Sequence, residues 1–215
     1  MNKEGYGIIF VFLACALVLG FFALYSHNKS MALLFWIDVL LLVFMLYFFR
    51  DPQRIPPGNP KAIVAPADGK VIAIEKVEEP LFVNDSVIKV SIFLSIFDVH
   101  VNYVPYNGVV EYLRYNRGAY LRADKPQASE KNAHTFIGLE TKYGKMAFKQ
   151  STGILARRIV CNLREGDRVQ TAEKFGIIKF GSRMEVFIPS WARVIVNIHE
   201  KVRAGESVIA VINEK

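Results

Sequence analysis

The chain has 215 residues, enough for one ordinary domain and an anchor. Apolar residues make up 52% of it and its mean hydropathy is +0.24, high for a soluble protein, with the excess at the N-terminus. The formal net charge of +7 points to an anionic membrane surface rather than nucleic acid, for which there is no recognition-helix motif, zinc-finger spacing or aromatic RNP box, and two cysteines, Cys15 and Cys161, make neither a disulfide framework nor a zinc site.

Residues 5–25 carry no charged side chain. As a helix, this run matches a hydrocarbon core of roughly 30 Å. Residues 32–49 form a second apolar run, interrupted only by Asp38. An Asp near a helix centre costs about 2.5–3.5 kcal/mol, while each Leu or Phe returns roughly 0.3–0.6, so the run still favours insertion. Asp38 is expected to be shielded by the first helix, with Ser26 to Met31 closing a helical hairpin. The first run is long for a cleaved signal peptide and no small-x-small site follows it. The apolar stretch before Leu13-Ala14-Cys15 is short for a lipoprotein signal. Lys3 flanks one end of the hairpin and Arg50, Arg54 and Lys61 the other, against Lys29 alone in the loop, so both ends are expected in the cytoplasm. Residues 1–50 thus read as an anchor in the cell membrane.

Residues 51–60, DPQRIPPGNP, read as a linker. Beyond them come short β-type runs separated by turn signals: Lys70–Val77, Val87–Phe93, Gly108–Tyr115, Thr135–Glu140, Met146–Gln150 and Ile154–Cys161. Long helical periodicity is absent. Near the end, Val169-Gln-Thr-Ala-Glu-Lys-Phe-Gly-Ile-Ile resembles Val202-Arg-Ala-Gly-Glu-Ser-Val-Ile-Ala-Val, two strand–turn–strand units of the kind that build hybrid barrels. The expected fold is therefore mostly β: an antiparallel β domain over 61–215 with hybrid-barrel-like hairpin repeats, preceded by a transmembrane helical hairpin. A lipoyl or biotinyl carrier of that architecture needs a lysine at its hairpin tip, and Gly181-Ser-Arg-Met-Glu185 offers none.

A Gly-Ser step between two strand-like runs, as in Lys179-Phe-Gly-Ser-Arg-Met-Glu-Val-Phe-Ile-Pro189, is by itself a turn. Its company changes that reading. Arg50-Asp51-Pro, Ala65-Pro-Ala-Asp-Gly69, Asp98-Val-His-Val-Asn102, Ala128-Ser-Glu-Lys-Asn132, Ala156-Arg-Arg-Ile-Val-Cys161 and Phe180-Gly-Ser-Arg183 follow one another in an order and spacing that resembles the short-form phosphatidylserine decarboxylase proenzymes, over nearly the whole chain. The resemblance implies self-cleavage between Gly181 and Ser182 into a larger chain, 1–181, and a smaller one, 182–215, that stay together as a heterodimer. It implies that Ser182 becomes a covalent pyruvoyl group, with no external cofactor and no metal. It also implies that phosphatidylserine is the substrate, its headgroup amine forming an imine with the pyruvoyl ketone and losing CO₂ to give phosphatidylethanolamine.

Asp68 and His100 are the candidates for acid–base work. By residue type alone, Asp68 caps a Pro-Ala-Asp-Gly turn and His100 is a half-buried strand histidine. The resemblance makes His100 a base for Ser182 or a proton donor to the decarboxylated carbon, with Asp68 orienting it. Larger relatives carry a second histidine three positions on, where this chain has Tyr103. His134 stands where the short-form pattern has Arg and reads as surface variation, and His199 as exposed. Arg114, Arg117 and Arg122, alternating with Tyr112, Tyr115 and Tyr120, read either as solvated strand faces or as contacts to a phosphate headgroup. Two other functions fit the sequence: decarboxylation of a related serine-headgroup lipid with ether tails (archaetidylserine), and a non-enzymatic membrane-tethered adaptor.

Overall fold

A helix that is apolar on every face has no side to turn toward water. Two such helices open the chain in the computed structural model, which describes residues 1–26, 28–154 and 158–213. They are α1 (Tyr6–Ser26) and α2 (Lys29–Phe48), both long and apolar enough to cross a membrane. Their outer side chains are open, Phe10 at 71% and Leu24 at 79% exposure. Asp38, the one acidic residue of α2, is buried within the hairpin as expected. α2 starts earlier than its apolar run because the Asn28 side chain accepts from the Ser30 amide at 2.8 Å and caps it. His27, in the connecting stretch, lies outside the described residues. The chain divides into two compact units, Met1–Pro52 and Gln53–Lys215, at a point inside the expected linker.

The second unit is built on strands β1 (Ala62–Val64), β2 (Gly69–Glu79), β3 (Asp85–Leu94), β4 (Val101–Tyr103), β5 (Gly108–Asn116), β6 (His134–Thr141), β7 (Gly144–Ser151), β8 (Arg158–Cys161), β9 (Arg168–Val169), β10 (Lys174–Lys179), β11 (Ser182–Pro189), β12 (Arg193–Val194), β13 (Lys201–Val202) and β14 (Val208–Val211). A single helical turn, α3 (Ala128–Lys131), precedes β6. The long runs form where apolar and polar residues alternate, as in β3, whose Val90, Ile92 and Leu94 are fully buried. Of the run expected over Ile154–Cys161, the strand covers Arg158–Cys161, and residues 155–157 lie outside the described residues. Strands of two or three residues were not expected, since so short a run carries no periodicity.

All strand pairs are antiparallel. One eight-stranded sheet runs β13-β2-β3-β11-β7-β6-β5-β9, and two three-stranded sheets run β1-β14-β12 and β4-β10-β8. The internal repeat is real in three dimensions. The Val64 amide donates to the Pro105 carbonyl and the Tyr103 amide to that of Pro66, each at 2.9 Å. Ala65 in one arm exchanges hydrogen bonds with Gly205 and Ser207, while Val104 in the other exchanges them with Ala172 and Glu173. The two turns each carry a positive φ, 63° at Ala172 and 72° at Gly205. This paired crossing of hairpins is the hybrid-barrel element expected from the sequence.

β11 lies at the centre of the large sheet, between β3 and β7, and every one of its residues is buried. Met184, Val186 and Ile188 point into the main cores, so Arg183, Glu185 and Phe187 point to the other face. There Glu185, with no exposure, meets Lys149 Nζ at 2.6 Å, accepts from Ser129 Oγ at 2.7 Å and lies 3.4 Å from Arg183 Nη1. Burial alone would raise its pKa, but the charge and hydrogen bond of Lys149, the Ser129 hydroxyl and Arg183 together hold it below the ordinary carboxylate value. Because the folded-state value is depressed, this carboxylate contributes stability that is fully present above the ordinary carboxylate range and is lost as pH falls through its lowered value. Glu185→Ala leaves Lys149 and Arg183 uncompensated and is expected to destabilise the fold by about 3–5 kcal/mol. Thermal unfolding in detergent between neutral and acid pH checks both points, the wild type losing more of its midpoint on acidification than Glu185→Gln does.

Candidate functional site

Two residues, Phe180 and Gly181, join β10 to β11, yet these strands belong to different sheets. So abrupt a change of direction requires left-handed backbone, and both residues take it, Phe180 with φ 69° and Gly181 with φ 59°. Gly181 accepts that conformation freely, whereas a residue with a Cβ, such as Phe180, bears roughly 1–2 kcal/mol of strain. Ser182 follows as the first residue of β11, opposite Leu94 of β3. It is fully buried, and its hydroxyl has no hydrogen-bond partner among the described residues. A buried hydroxyl left unpaired costs roughly 1–3 kcal/mol, so its presence here calls for a functional reason.

His100 sits directly beneath this connection. Its Nε2 accepts the Gly181 amide at 3.2 Å, and its Nδ1 lies 2.9 Å from the Asp98 carbonyl oxygen. Only one tautomer satisfies both contacts: Nδ1 carries the proton and donates, and Nε2 offers its lone pair. The Gly181 nitrogen that donates to it is two bonds from the Gly181 carbonyl carbon. The rest of Asp98-Val-His-Val-Asn102 supports the histidine. The Asp98 carboxylate accepts the Ser95 amide at 2.8 Å and closes the preceding turn, and buried Asn102 Oδ1 accepts from Gln150 Nε2 at 2.9 Å. Tyr103, in the place of the larger relatives' second histidine, is buried beside Gly205.

Asp68 is placed differently. Its two carboxylate oxygens both accept from Arg54 Nη2, at 2.7 and 2.8 Å, and Oδ1 also accepts the Ala204 amide at 2.8 Å. The turn-capping reading of Asp68 thus becomes a cap on a distant turn, and the Nδ1 contact expected of it is made by the Asp98 carbonyl. Arg54 is drawn from the stretch read as a linker. Burial lowers its pKa, but the charge and hydrogen bonds of Asp68 raise it by more. By register, Lys70 and Arg183 both face Phe93, so Asp68 and Ser182 lie at the same end of the sheet with β3 between them.

Residue-type reasoning missed Gly153. A Cβ built there would stand 2.3 Å from the Gly181 carbonyl oxygen, so the chain after β7 passes against that carbonyl only because position 153 has no side chain. It also missed the pair that holds the segment before α3. Arg183 donates to the Ala123 carbonyl at 2.7 Å and to that of Lys125 at 2.8 Å, and Asn132 brackets Leu121 through its amide and its carbonyl. Both residues lay in motifs singled out in the sequence, but what they touch was not legible there. His134 is half-buried at the start of β6, not on the surface, with Nδ1 2.8 Å from the Asn132 carbonyl oxygen. Burial lowers its pKa. His199 is exposed, as expected. Tyr112 packs against Phe82 and Phe136, which removes it from any headgroup-facing series.

A cleft of about 290 Å³ opens beside the Gly181–Ser182 step. Phe93, Ile96, Phe97 and Ile154 give it apolar walls, and Arg122, Asp124 and Gly181 line it as well. A ketone formed at position 182 would follow directly on Gly181, which lines this apolar cleft and whose amide donates to His100. The residues present therefore fit a pyruvoyl group. Among the described residues no group of three or more His, Cys, Asp or Glu is placed to hold a metal.

Comparisons with known proteins show the family of the chain. The family model described as phosphatidylserine decarboxylase matches residues 41–210. A phosphatidylserine decarboxylase proenzyme from Prosthecochloris aestuarii is 48% identical over 174 residues, 81% of this chain and 80% of the relative. Proenzymes of the same name from Desulfotalea psychrophila and Syntrophus aciditrophicus are 42% and 47% identical, over 89% and 80% of this chain and 90% and 83% of the relatives.

Gly153→Ala forces its new methyl into the Gly181 carbonyl and is expected to abolish the cleavage anticipated at Gly181–Ser182. Gly58→Ala, whose methyl meets nothing within 4 Å, is expected to leave it intact. Intact-mass measurement of the two purified variants distinguishes full-length from cleaved chains.

Proposed function

We propose that this chain, which belongs to the phosphatidylserine decarboxylase family and is an enzyme of that type, is made as a proenzyme that cuts itself between Gly181 and Ser182 to create its own pyruvoyl group. The observation that carries the reading is the left-handed Phe180–Gly181 connection, with His100 Nε2 on the Gly181 amide and the buried Ser182 hydroxyl unengaged among the described residues. His100, once its Nε2 releases the Gly181 amide, takes the hydroxyl proton as Ser182 Oγ adds to the Gly181 carbonyl carbon. Breaking the Gly181–Ser182 C–N bond converts the amide to an ester and frees the Ser182 amine. Loss of the Ser182 α-proton then expels the Gly181 carboxylate, and water replaces nitrogen at the resulting dehydroalanine, leaving the ketone and ammonia.

Once formed, the pyruvoyl ketone supplies an electron sink for the electrons left by CO₂ loss. The chain's own residues do the rest. The apolar cleft walls exclude water from the carboxylate that departs, and His100 returns a proton to the decarboxylated carbon. Asp68 acts at one remove, fixing Arg54 and the Ala204 turn at the same end of the sheet. The smaller chain, 182–215, stays bound to the larger, 1–181, because β11 is paired with β3 and β7 and β14 with β1. Residues 1–50 form the anchor, 51–60 the linker and 61–215 the catalytic domain, on the cytoplasmic face of the cell membrane. Membership of an enzyme family sets the adaptor alternative aside. Phosphatidylserine is preferred to its ether-tailed counterpart because the relatives are named for it.

Purified wild type is expected as two chains, the smaller blocked to Edman chemistry, and borohydride in the presence of phosphatidylserine is expected to inactivate it. Ser182→Ala is expected to remain one inactive, folded chain. An uncleaved wild type that still releases CO₂ from phosphatidylserine overturns the reading. His100→Ala is expected to slow cleavage, decarboxylation or both by about 10²–10⁴-fold, the usual contribution of a positioned general base. Normal processing with normal CO₂ release removes His100 from the mechanism. A reporter fused after Lys215 is expected to be active only in its cytoplasmic form.

A further inference from the structure

The rim of the cleft has an unusual composition for a water-facing surface. Phe97 is 63% exposed, Ile154 50% and Leu121 39%, with Tyr120 next in the chain at 42%. Phe97 and Ile154 line the cleft itself, and Leu121 precedes Arg122, which lines it too. The backbone that carries Leu121 and Arg122 is pinned from within. Asn132 Oδ1 accepts the Leu121 amide at 2.8 Å and its Nδ2 donates to the Leu121 carbonyl at 2.9 Å. Arg183 holds the carbonyls of Ala123 and Lys125, and Ala119 exchanges hydrogen bonds with Lys131 and Ala133. A segment tied at alternate residues by buried polar groups is not free to fold its apolar side chains inward. Their exposure is therefore a built feature of the rim. In the chain that carries Leu121, residues 114–131 hold five basic and two acidic side chains, and one of the acidic ones, Asp124, pairs with Arg122 at 3.0 Å.

Apolar side chains at the mouth of a cleft, with Arg122 beside them in a segment that carries an excess of arginine and lysine, match one environment: an anionic leaflet, whose acyl layer takes the former and whose phosphates take the latter. We infer that the rim formed by Phe97, Leu121 and Ile154 enters the leaflet that holds the substrate, with Arg122 at the depth of the lipid phosphates. This would be a second membrane contact, additional to the helical hairpin. The inference rests on the reading of the cleft as the lipid site and deepens it. A phosphatidylserine molecule would slide its headgroup along the apolar walls to position 182 while its tails stay in the bilayer. The arginine–tyrosine series read from the sequence is thereby split. Tyr112 belongs to the core, while Arg122 with its neighbours Tyr120 and Leu121 faces the membrane.

The test uses the wild-type full chain in nanodiscs of phosphatidylserine and phosphatidylcholine, with a small share of phosphatidylcholine bearing a diazirine in its acyl chain. After photolysis and digestion, lipid adducts are expected on the peptides that contain Phe97, Leu121 and Ile154, besides those on α1 and α2. Leu81 is the internal control. It is 51% exposed and lies at the β2–β3 turn, the end of β3 remote from Leu94 and Ser182. Its peptide is expected to stay unlabelled. Adducts confined to the two helices, or as frequent at Leu81 as at Phe97, overturn the inference; so does protection of the rim by a soluble protein in place of lipid. Labelling needs no turnover, so the two readings fail separately. A chain labelled at the rim that never releases CO₂ from phosphatidylserine sinks the decarboxylase mechanism alone, and an active chain with an unlabelled rim sinks only the second membrane contact.

Discussion

Glu185 is a carboxylate without solvent access in the middle of the central strand, and a charge so placed persists only when cations and hydrogen-bond donors meet it. Those that do come from separate parts of the chain: Lys149 from β7, Ser129 from α3, Ser91 from β3 and Arg183 from β11 itself. Lys149 also donates to the Ser129 carbonyl, so the cluster closes on itself. Arg183 then reaches past Glu185 to the carbonyls of Ala123 and Lys125. One buried anion thus organises the segment that walls the cleft, and the register of β11 cannot slip without stranding it.

The two-residue period of β11 separates two tasks. Ser182, Met184 and Val186 share one face, Arg183 and Glu185 the other. The residue expected to change chemically is on the core side with His100, while its immediate neighbour is tied to the polar network beneath the segment before α3. Cleavage before Ser182 would leave this anchoring untouched, since every bond Arg183 and Glu185 make is through side chains or through strand pairs beyond the cut.

On the Ser182 face the constraints are steric as much as electrostatic. A left-handed pair of residues brings the Gly181 amide onto His100, and the bare α-carbon of Gly153 lets a second segment close on the Gly181 carbonyl. The Asp98 carbonyl, not a carboxylate, sets the histidine tautomer. Asp68 pairs with Arg54 and accepts the Ala204 amide, which ties the stretch around residue 54 to the turn at Ala204.

Much of this was written in local sequence. Two long apolar runs, the second broken only by Asp38, determine the helical pair, because their length and composition suit membrane-spanning helices. Alternation in β2, β3, β5, β6 and β7 determines those strands, and the repeat near Val169 and Val202 determines the paired hairpins, because periodicity and turn chemistry act between residues a few positions apart. Ser182, Gly181 and His100 stood out through the order of the motifs that contain them. Tertiary structure alone decided which groups meet: His100 with Gly181 across 81 positions, Arg183 with Ala123 across 60, Asp68 with Ala204 across 136, and Gly153 against a carbonyl it has no local reason to approach. Such contacts depend on strand register and on the crossing of hairpins, which the whole chain sets by burying its apolar faces together, and no window of sequence carries that information.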